Sequence, residues 1–181
     1  INASAGKVVF CGEDISDLPV FERISNGIGY TFQITSIFIN LTVYENVALA
    51  IRKDNSNGEE NSVSEVLSKV GLLDRIEQRS GDLSYGHQRL LELAMGMAQK
   101  PKLLILDEPT QGLSDSEIEN FKKLIKDISS STTILLIEHN MDVVMSIADN
   151  ISVLHFGEII ADGDKETIQN DPIVQKAYLG D

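Results

Sequence analysis

The sequence predicts an α/β fold built around a parallel sheet, and three observations support this. Leu103–Leu106 and Thr132–Ile137 are short continuous apolar runs, the pattern of strands buried on both faces of a parallel sheet. Helical patterns separate them, so residues 102–156 alternate strand, helix, strand, helix, strand. Residues 41–98 are mostly helical and interrupt the strand-bearing parts, which predicts an inserted helical subdomain (41–98) in a core made of 1–40 and 99–181.

The elements follow in order. Lys7–Phe10 reads as a short β segment before the polar loop Gly12–Asp17, and Ile28–Phe32 as a strand after the turn Asn26-Gly27. Thr42–Arg52 is helical, with Val43, Val47 and Ala50 on one face. Asp54–Asn61 has nothing apolar and is the most disorder-like stretch. Ser62-x-x-Glu65 forms a capping box before Val63, Val66, Leu67 and Val70 at i, i+3, i+4, i+7, and Gly71 ends that helix. Ser84 caps a helix to about Gln99, stopped by Pro101, whose buried stripe is Leu90, Ala94, Met97 and Ala98. Ser114-x-x-Glu117 is a second capping box, ahead of Ile118, Phe121, Leu124, Ile125 and Ile128. Asn140 caps a helix through Ala148, Ile151–Phe156 and Glu158–Ala161 form a hairpin around Gly157, and two short helices complete 163–181.

At 181 residues the chain fits one domain, or a domain with a small subdomain, and 42% hydrophobic residues supply a core. Its 28 acidic and 15 Lys/Arg residues give a net charge of −13. That opposes a nucleic-acid binder, which carries a basic stripe. It is compatible with a nucleotide held by backbone N–H groups and Mg²⁺. The single cysteine, Cys11, excludes an internal disulfide and, lying in an apolar run, reads as a core residue. No apolar run approaches the ~20 residues that span a bilayer, and no stretch of these residues reads as a signal peptide.

Chemistry concentrates at three places. Asp107-Glu108 lies just beyond the carboxyl end of an apolar strand, where α/β proteins place ligands. Asp107 can bind Mg²⁺ and Glu108 can orient or deprotonate an attacking water; the alternative is a solvated acidic pair opening a turn at Pro109. His139 follows the next strand, so it belongs at the same sheet edge, where it can donate to a phosphate or stand idle at a helix start. Ser84-x-Gly86 opens a helix with a hydroxyl, accessible N–H groups and the positive dipole end, which suits a phosphate as well as an ordinary N-cap.

Together these pieces resemble the nucleotide-binding subunit of ATP-binding-cassette (ABC) transporters. Leu83-Ser84-Tyr85-Gly86-His87-Gln88 is similar to the family signature. Leu103–Glu108 resembles Walker B with the catalytic glutamate, and Gly112-Leu113-Ser114-Asp115 the D-loop. Glu138-His139 resembles the switch-histidine motif and Thr31-Phe32-Gln33 the Q-loop. The resemblance implies a P-loop NTPase-type (RecA-like) core. It implies ATP and Mg²⁺ as cofactors, and Glu108, His139 and Gln33 as catalytic residues. Asp107 and Gln33 would be at the metal, and Ser84, Tyr85, Gly86, His87, Gln88 and Asp115 at nucleotide held by the opposite subunit. The implied partners are a second ATPase subunit, transmembrane permease subunits and, indirectly, an extracytoplasmic solute-binding protein, at the cytoplasmic face of the membrane. Gly27–Gln33, Asn40–Val47, Ser84-Tyr85-Gly86 and Ala177-Tyr178-Leu179-Gly180 resemble the branched-chain amino-acid (and related urea or amide) importers. Departures are Tyr30 where that branch often has Arg, His87 for Gln or an acidic residue, Met95 for Arg, and Asn140 for Asp.

A P-loop needs Gly-x-x-x-x-Gly-Lys-Ser/Thr, and the one Gly-Lys here, Gly6-Lys7, has Ile1 five residues earlier and Val8 after it. The family's P-loop strand and helix are thus expected on the order of 40–50 residues of chain before this point. The core is then expected to be incomplete at its N-terminus, and this chain alone to bind ATP weakly or not at all, to show no appreciable hydrolysis, and to close an uncovered core edge by rearrangement, dimerisation or strand exchange. The competing functional readings are a natural P-loop-less module that docks on a partner ATPase and a DNA-repair or chromosome-organising ATPase. Intact Asp107, Glu108 and His139 oppose the first; the charge and the lack of long heptads oppose the second.

Overall fold

The computed structural model describes residues 5–31, 36–51 and 59–179. Its centre is a three-stranded parallel sheet of order β3-β4-β5, from Ile28–Thr31, Leu103–Asp107 and Thr133–Ile137. Gly29 aligns with Leu104, and Asp107 with Ile137, so the carboxyl ends of β4 and β5 finish level. Before the sheet, β1 (Val9–Phe10) and β2 (Glu13–Asp14) form a small hairpin, and α1 (Val20–Ser25) leads into β3. The fold is α/β with a parallel-sheet core, as the sequence predicts.

Helices α2 (Val43–Ala50), α3 (Glu59–Lys69) and α4 (Tyr85–Ala98) lie between β3 and β4 in the chain. Val43, Val47, Val63, Val66, Leu67, Val70, Leu91 and Ala94 form their shared apolar cluster. Thr42 starts α2 through a reciprocal capping box with Glu45, and Gly71 takes φ +74° just beyond α3. A second cluster joins α4 to the sheet and to α5 (Asp115–Ser129): Leu93, Leu104, Leu106, Phe121, Ile125 and Ile128. Each fully buried leucine there contributes about 1.5–3 kcal/mol of transfer free energy. Helix α4 therefore belongs to both clusters. Gly96 makes this possible, because a Cβ there would lie 3.1 Å from Leu104 Cδ1.

After β5, α6 (Met141–Ile147) is capped by Asn140, whose Oδ1 accepts from the N–H groups of Asp142 and Val143. Strands β6 (Ile151–His155) and β7 (Glu158–Gly163) form an antiparallel pair, followed by α7 (Lys165–Asn170) and α8 (Pro172–Leu179). Ile151, Val153, Ile168 and Val174 make a third, smaller cluster. No helix among the described residues is long and apolar enough to cross a membrane.

Six local expectations are corrected. Cys11 is exposed, not core: the two-residue turn Cys11-Gly12 holds both residues at positive φ, +50° and +86°, as a tight primed hairpin turn requires, and points the thiol outward. Ser62 does not cap α3, which begins at Glu59, and Glu65 instead pairs with Lys69 at 2.8 Å. Strand β5 is not buried on both faces: Ile134 and Leu136 pack on the second cluster, while Leu135 is 50% exposed on the other face. β4 also alternates, with Leu104 and Leu106 fully buried and Leu103 and Ile105 half-buried. Strand β6 does not join the parallel sheet: it forms a separate two-stranded sheet with β7 across the turn Phe156-Gly157, the hairpin the sequence predicts. The buried stripe of α4 is also wider than Leu90, Ala94, Met97 and Ala98: Leu90 and Met97 are half-buried, whereas Leu91, Leu93 and even Arg89 and Glu92 are buried. A helix packed on two sides buries most of its circumference.

Candidate functional site

The level ends of β4 and β5 bring Asp107, Glu108 and His139 to one edge. Asp107 closes β4 and its Oδ2 accepts from the Tyr30 hydroxyl of β3 at 2.8 Å. That bond, with some burial and the Asp107 charge, pushes the Tyr30 phenol above its ordinary pKa. Glu108 turns out of the strand at φ +45°, and its N–H donates to the Ile137 carbonyl at 2.9 Å. Its Oε1 lies 3.7 Å from His139 Nδ1. Glu138 links the same loops, accepting from Thr110 on one side and from the N–H groups of His139 and Asn140 on the other.

A second group assembles at the start of α4. Ser84 is the N-cap: its Oγ accepts from the His87 N–H at 3.3 Å and lies 2.9 Å from His87 Nδ1. Gly86 is buried against α5, where a Cβ would fall 2.1 Å from Glu117 Oε1. Glu117 is tied into its own capping box, accepting from the Ser114 N–H at 2.9 Å and the Ser114 hydroxyl at 2.7 Å. These bonds, backbone first, hold its carboxyl below the usual range, with a further contribution from His87. The Tyr85 ring packs against Gly112, and its hydroxyl accepts from Arg89 Nε at 3.1 Å. Arg89 in turn pairs with Glu92 at 3.0 Å, both side chains at most 7% exposed, and Glu92 accepts from the Ser36 N–H.

The predicted residues thus fall into two groups: Asp107, Glu108 and His139 in one, and Ser84, Tyr85, Gly86 and His87 with the segment up to Asp115 in the other. Gln88 folds its amide back on the preceding loop, donating to the carbonyls of Ser80 and Leu83. Asp115 is exposed at the first turn of α5. Gln33 lies outside the described residues. Sequence reasoning gave Glu117 only its capping role and Glu138 only its place beside His139, and it missed the Arg89–Glu92 pair and the Tyr30–Asp107 bond. The adjacency of Glu138 to His139, and the i,i+3 spacing of Arg89 and Glu92, were the signals available.

Among the described residues no group of three or more His, Cys, Asp or Glu forms a metal cage. Mg²⁺ needs none when it binds through one or two carboxylates, waters and phosphate oxygens, and Asp107 with neighbouring Glu108 suits that mode. When bound, Mg²⁺ supplies charge neutralisation at a phosphate.

A family described as "ABC transporter" matches residues 1–111, and one described as "Branched-chain amino acid ATP-binding cassette transporter" matches 158–181. The lipopolysaccharide export system ATP-binding protein LptB of Haemophilus influenzae is 36% identical over 185 residues, covering 100% of this chain and 77% of LptB. The high-affinity branched-chain amino acid transport ATP-binding protein BraF of Pseudomonas aeruginosa is 36% identical over 197 residues, covering 98% and 77%. The solved structure of MJ1267, an ATP-binding cassette of an ABC transporter, superposes with a TM-score of 0.87 at 26% identity, over 99% of this chain and 79% of that one. The chain belongs to the ATP-binding subunits of the ABC transporter family.

Proposed function

We propose that this protein is the ATP-hydrolysing subunit of an ABC importer for branched-chain amino acids or related solutes, peripheral on the inner face of the cell membrane. The observation that carries the hydrolytic reading is the convergence of Asp107, Glu108 and His139 at the ends of two adjacent parallel strands. Asp107 holds Mg²⁺, Glu108 orients the attacking water, and His139 donates to the γ-phosphate. Ser84, Tyr85, Gly86, His87, Gln88 and Asp115 meet nucleotide bound by a second ATPase subunit, and Gln33 joins the metal side. Residues 41–98 act as a helical lobe on the 1–40 and 99–181 core. The importer assignment is supported by the match of 158–181 and by BraF. A lipopolysaccharide-export role is the second reading, favoured by the equal identity to LptB.

No Gly-x-x-x-x-Gly-Lys-Ser/Thr occurs in these 181 residues, so by themselves they hold Mg-ATP weakly. Isothermal titration tests this; micromolar affinity contradicts it. In the protein assembled with its partner subunits, Glu108→Gln is expected to bind ATP and stop turnover. Hydrolysis undiminished in that variant removes Glu108 from its role.

A further inference from the structure

Glu138 stands between the loops that carry Glu108 and His139. Its Oε1 accepts from the Thr110 N–H at 3.1 Å and from the Thr110 hydroxyl. Its Oε2 accepts from the His139 N–H at 3.1 Å and the Asn140 N–H at 3.3 Å. One carboxylate thus receives four donors, two from each loop, and bonds to an ionised acceptor are about twice as strong as neutral ones. Thr110 is 5% exposed, so its side of the clamp is sheltered from water. The His139 side chain is 68% exposed, so packing does little to place it, and the backbone beneath must set its 3.7 Å approach to Glu108.

We propose that Glu138 is a positioning residue: its four-bond clamp fixes the Glu108 loop to the His139 loop and so sets the spacing of those two side chains. The consequence for turnover rests on the functional reading above; the clamp does not. An amide cannot substitute for the carboxylate. Gln at 138 keeps one acceptor oxygen and turns an NH₂ group toward the donors of one loop, so one half of the clamp fails although the volume is preserved.

The test is Glu138→Gln in the whole protein, with Thr110→Val as the second variant should the first not fold. By NMR, the wild type should show protected amides at Thr110, His139 and Asn140 and a nuclear Overhauser contact between the His139 ring and the Glu108 methylenes. In Glu138→Gln, protection should fall at least about tenfold on one side, equivalent to about 1.4 kcal/mol, and the contact should vanish. The Leu104 and Leu106 amides should stay protected. In Thr110→Val the loss should be confined to the Oε1 side. A folded Glu138→Gln with the contact and all three amides unchanged overturns the proposal, because a space-filling role survives that isosteric change. With turnover measured in parallel, kcat should fall at least tenfold at constant KM. Wild-type kcat alongside a lost contact overturns the catalytic consequence. Absence of turnover in the wild-type protein assembled with its partner subunits contradicts the functional reading, while the NMR result still decides the clamp.

Discussion

Replacing Gly86 by Ala tests how the signature-like turn is built. The added Cβ would lie 2.1 Å from Glu117 Oε1 and 2.8 Å from Glu117 Cδ, so something must move. If Glu117 swings away, it leaves its bonds to the Ser114 N–H and hydroxyl, and losing an N-cap arrangement costs about 1 kcal/mol. If it stays, α4 must shift against α5, and overpacking of that kind costs about 1–3 kcal/mol. Against this, Gly→Ala in a helix interior gains up to about 1 kcal/mol, but Gly86 is only the second residue of α4, where the gain is smaller. The net expectation is a loss of about 1–2 kcal/mol, read as a lower urea midpoint at unchanged m-value. A double-mutant cycle with Glu117→Ala locates the cause. With the glutamate gone, Gly86→Ala should cost little, giving a coupling of about 1 kcal/mol. A Gly86→Ala protein as stable as wild type, or an additive cycle, refutes the reasoning.

Three further outcomes follow from the same geometry. The folded-state pKa values of Glu117 and Asp164 are lowered, each first by a backbone N–H, from Ser114 and Thr167. Their stabilisation is complete above their ordinary values, 4.5 and 3.8, and is lost as pH falls through the lowered ones; unfolding midpoints should decline with acid across that window, and less steeply in Glu117→Gln. Arg89→Met removes the cation paired with the buried Glu92 carboxylate and should cost about 3–5 kcal/mol, whereas Arg89→Met with Glu92→Leu should recover most of it; equal losses in the single and double variants, by denaturant titration, contradict this account. Leu104→Ala removes a fully buried side chain from β4 and should cost about 2–5 kcal/mol, and a loss below 1 kcal/mol by thermal or urea melts means the strand can collapse around the gap.

Legibility differed by element for physical reasons. Asp107, Glu108 and His139 were readable because an apolar run fixes where a parallel strand ends, and adjacent parallel strands end level. The Ser84, Ser114 and Asn140 caps were readable because capping is local. Cys11 was misread because apolar neighbours signal burial only while the strand continues, and Gly12 ends it in a turn. Leu135 was misread because its run is as apolar as Leu103–Leu106, and periodicity alone does not reveal which face a neighbouring element covers. The wider roles of Glu138 and Glu117 escaped because the partners that matter lie 28 and 31 residues away in the chain: Thr110, which donates to Glu138, and Gly86, whose missing Cβ leaves room for Glu117.

Helix α4 rests on β4 at Gly96, where Leu104 permits no closer approach. That contact makes a natural fulcrum. Ser84 lies twelve residues toward the other end of the same helix, an arm of about 18 Å at 1.5 Å per residue. A tilt of about 5° at Gly96 therefore carries the Ser84 hydroxyl roughly 1.6 Å, half the length of a hydrogen bond. A small adjustment of side chains over the sheet would thus be amplified at the helix tip that carries Ser84.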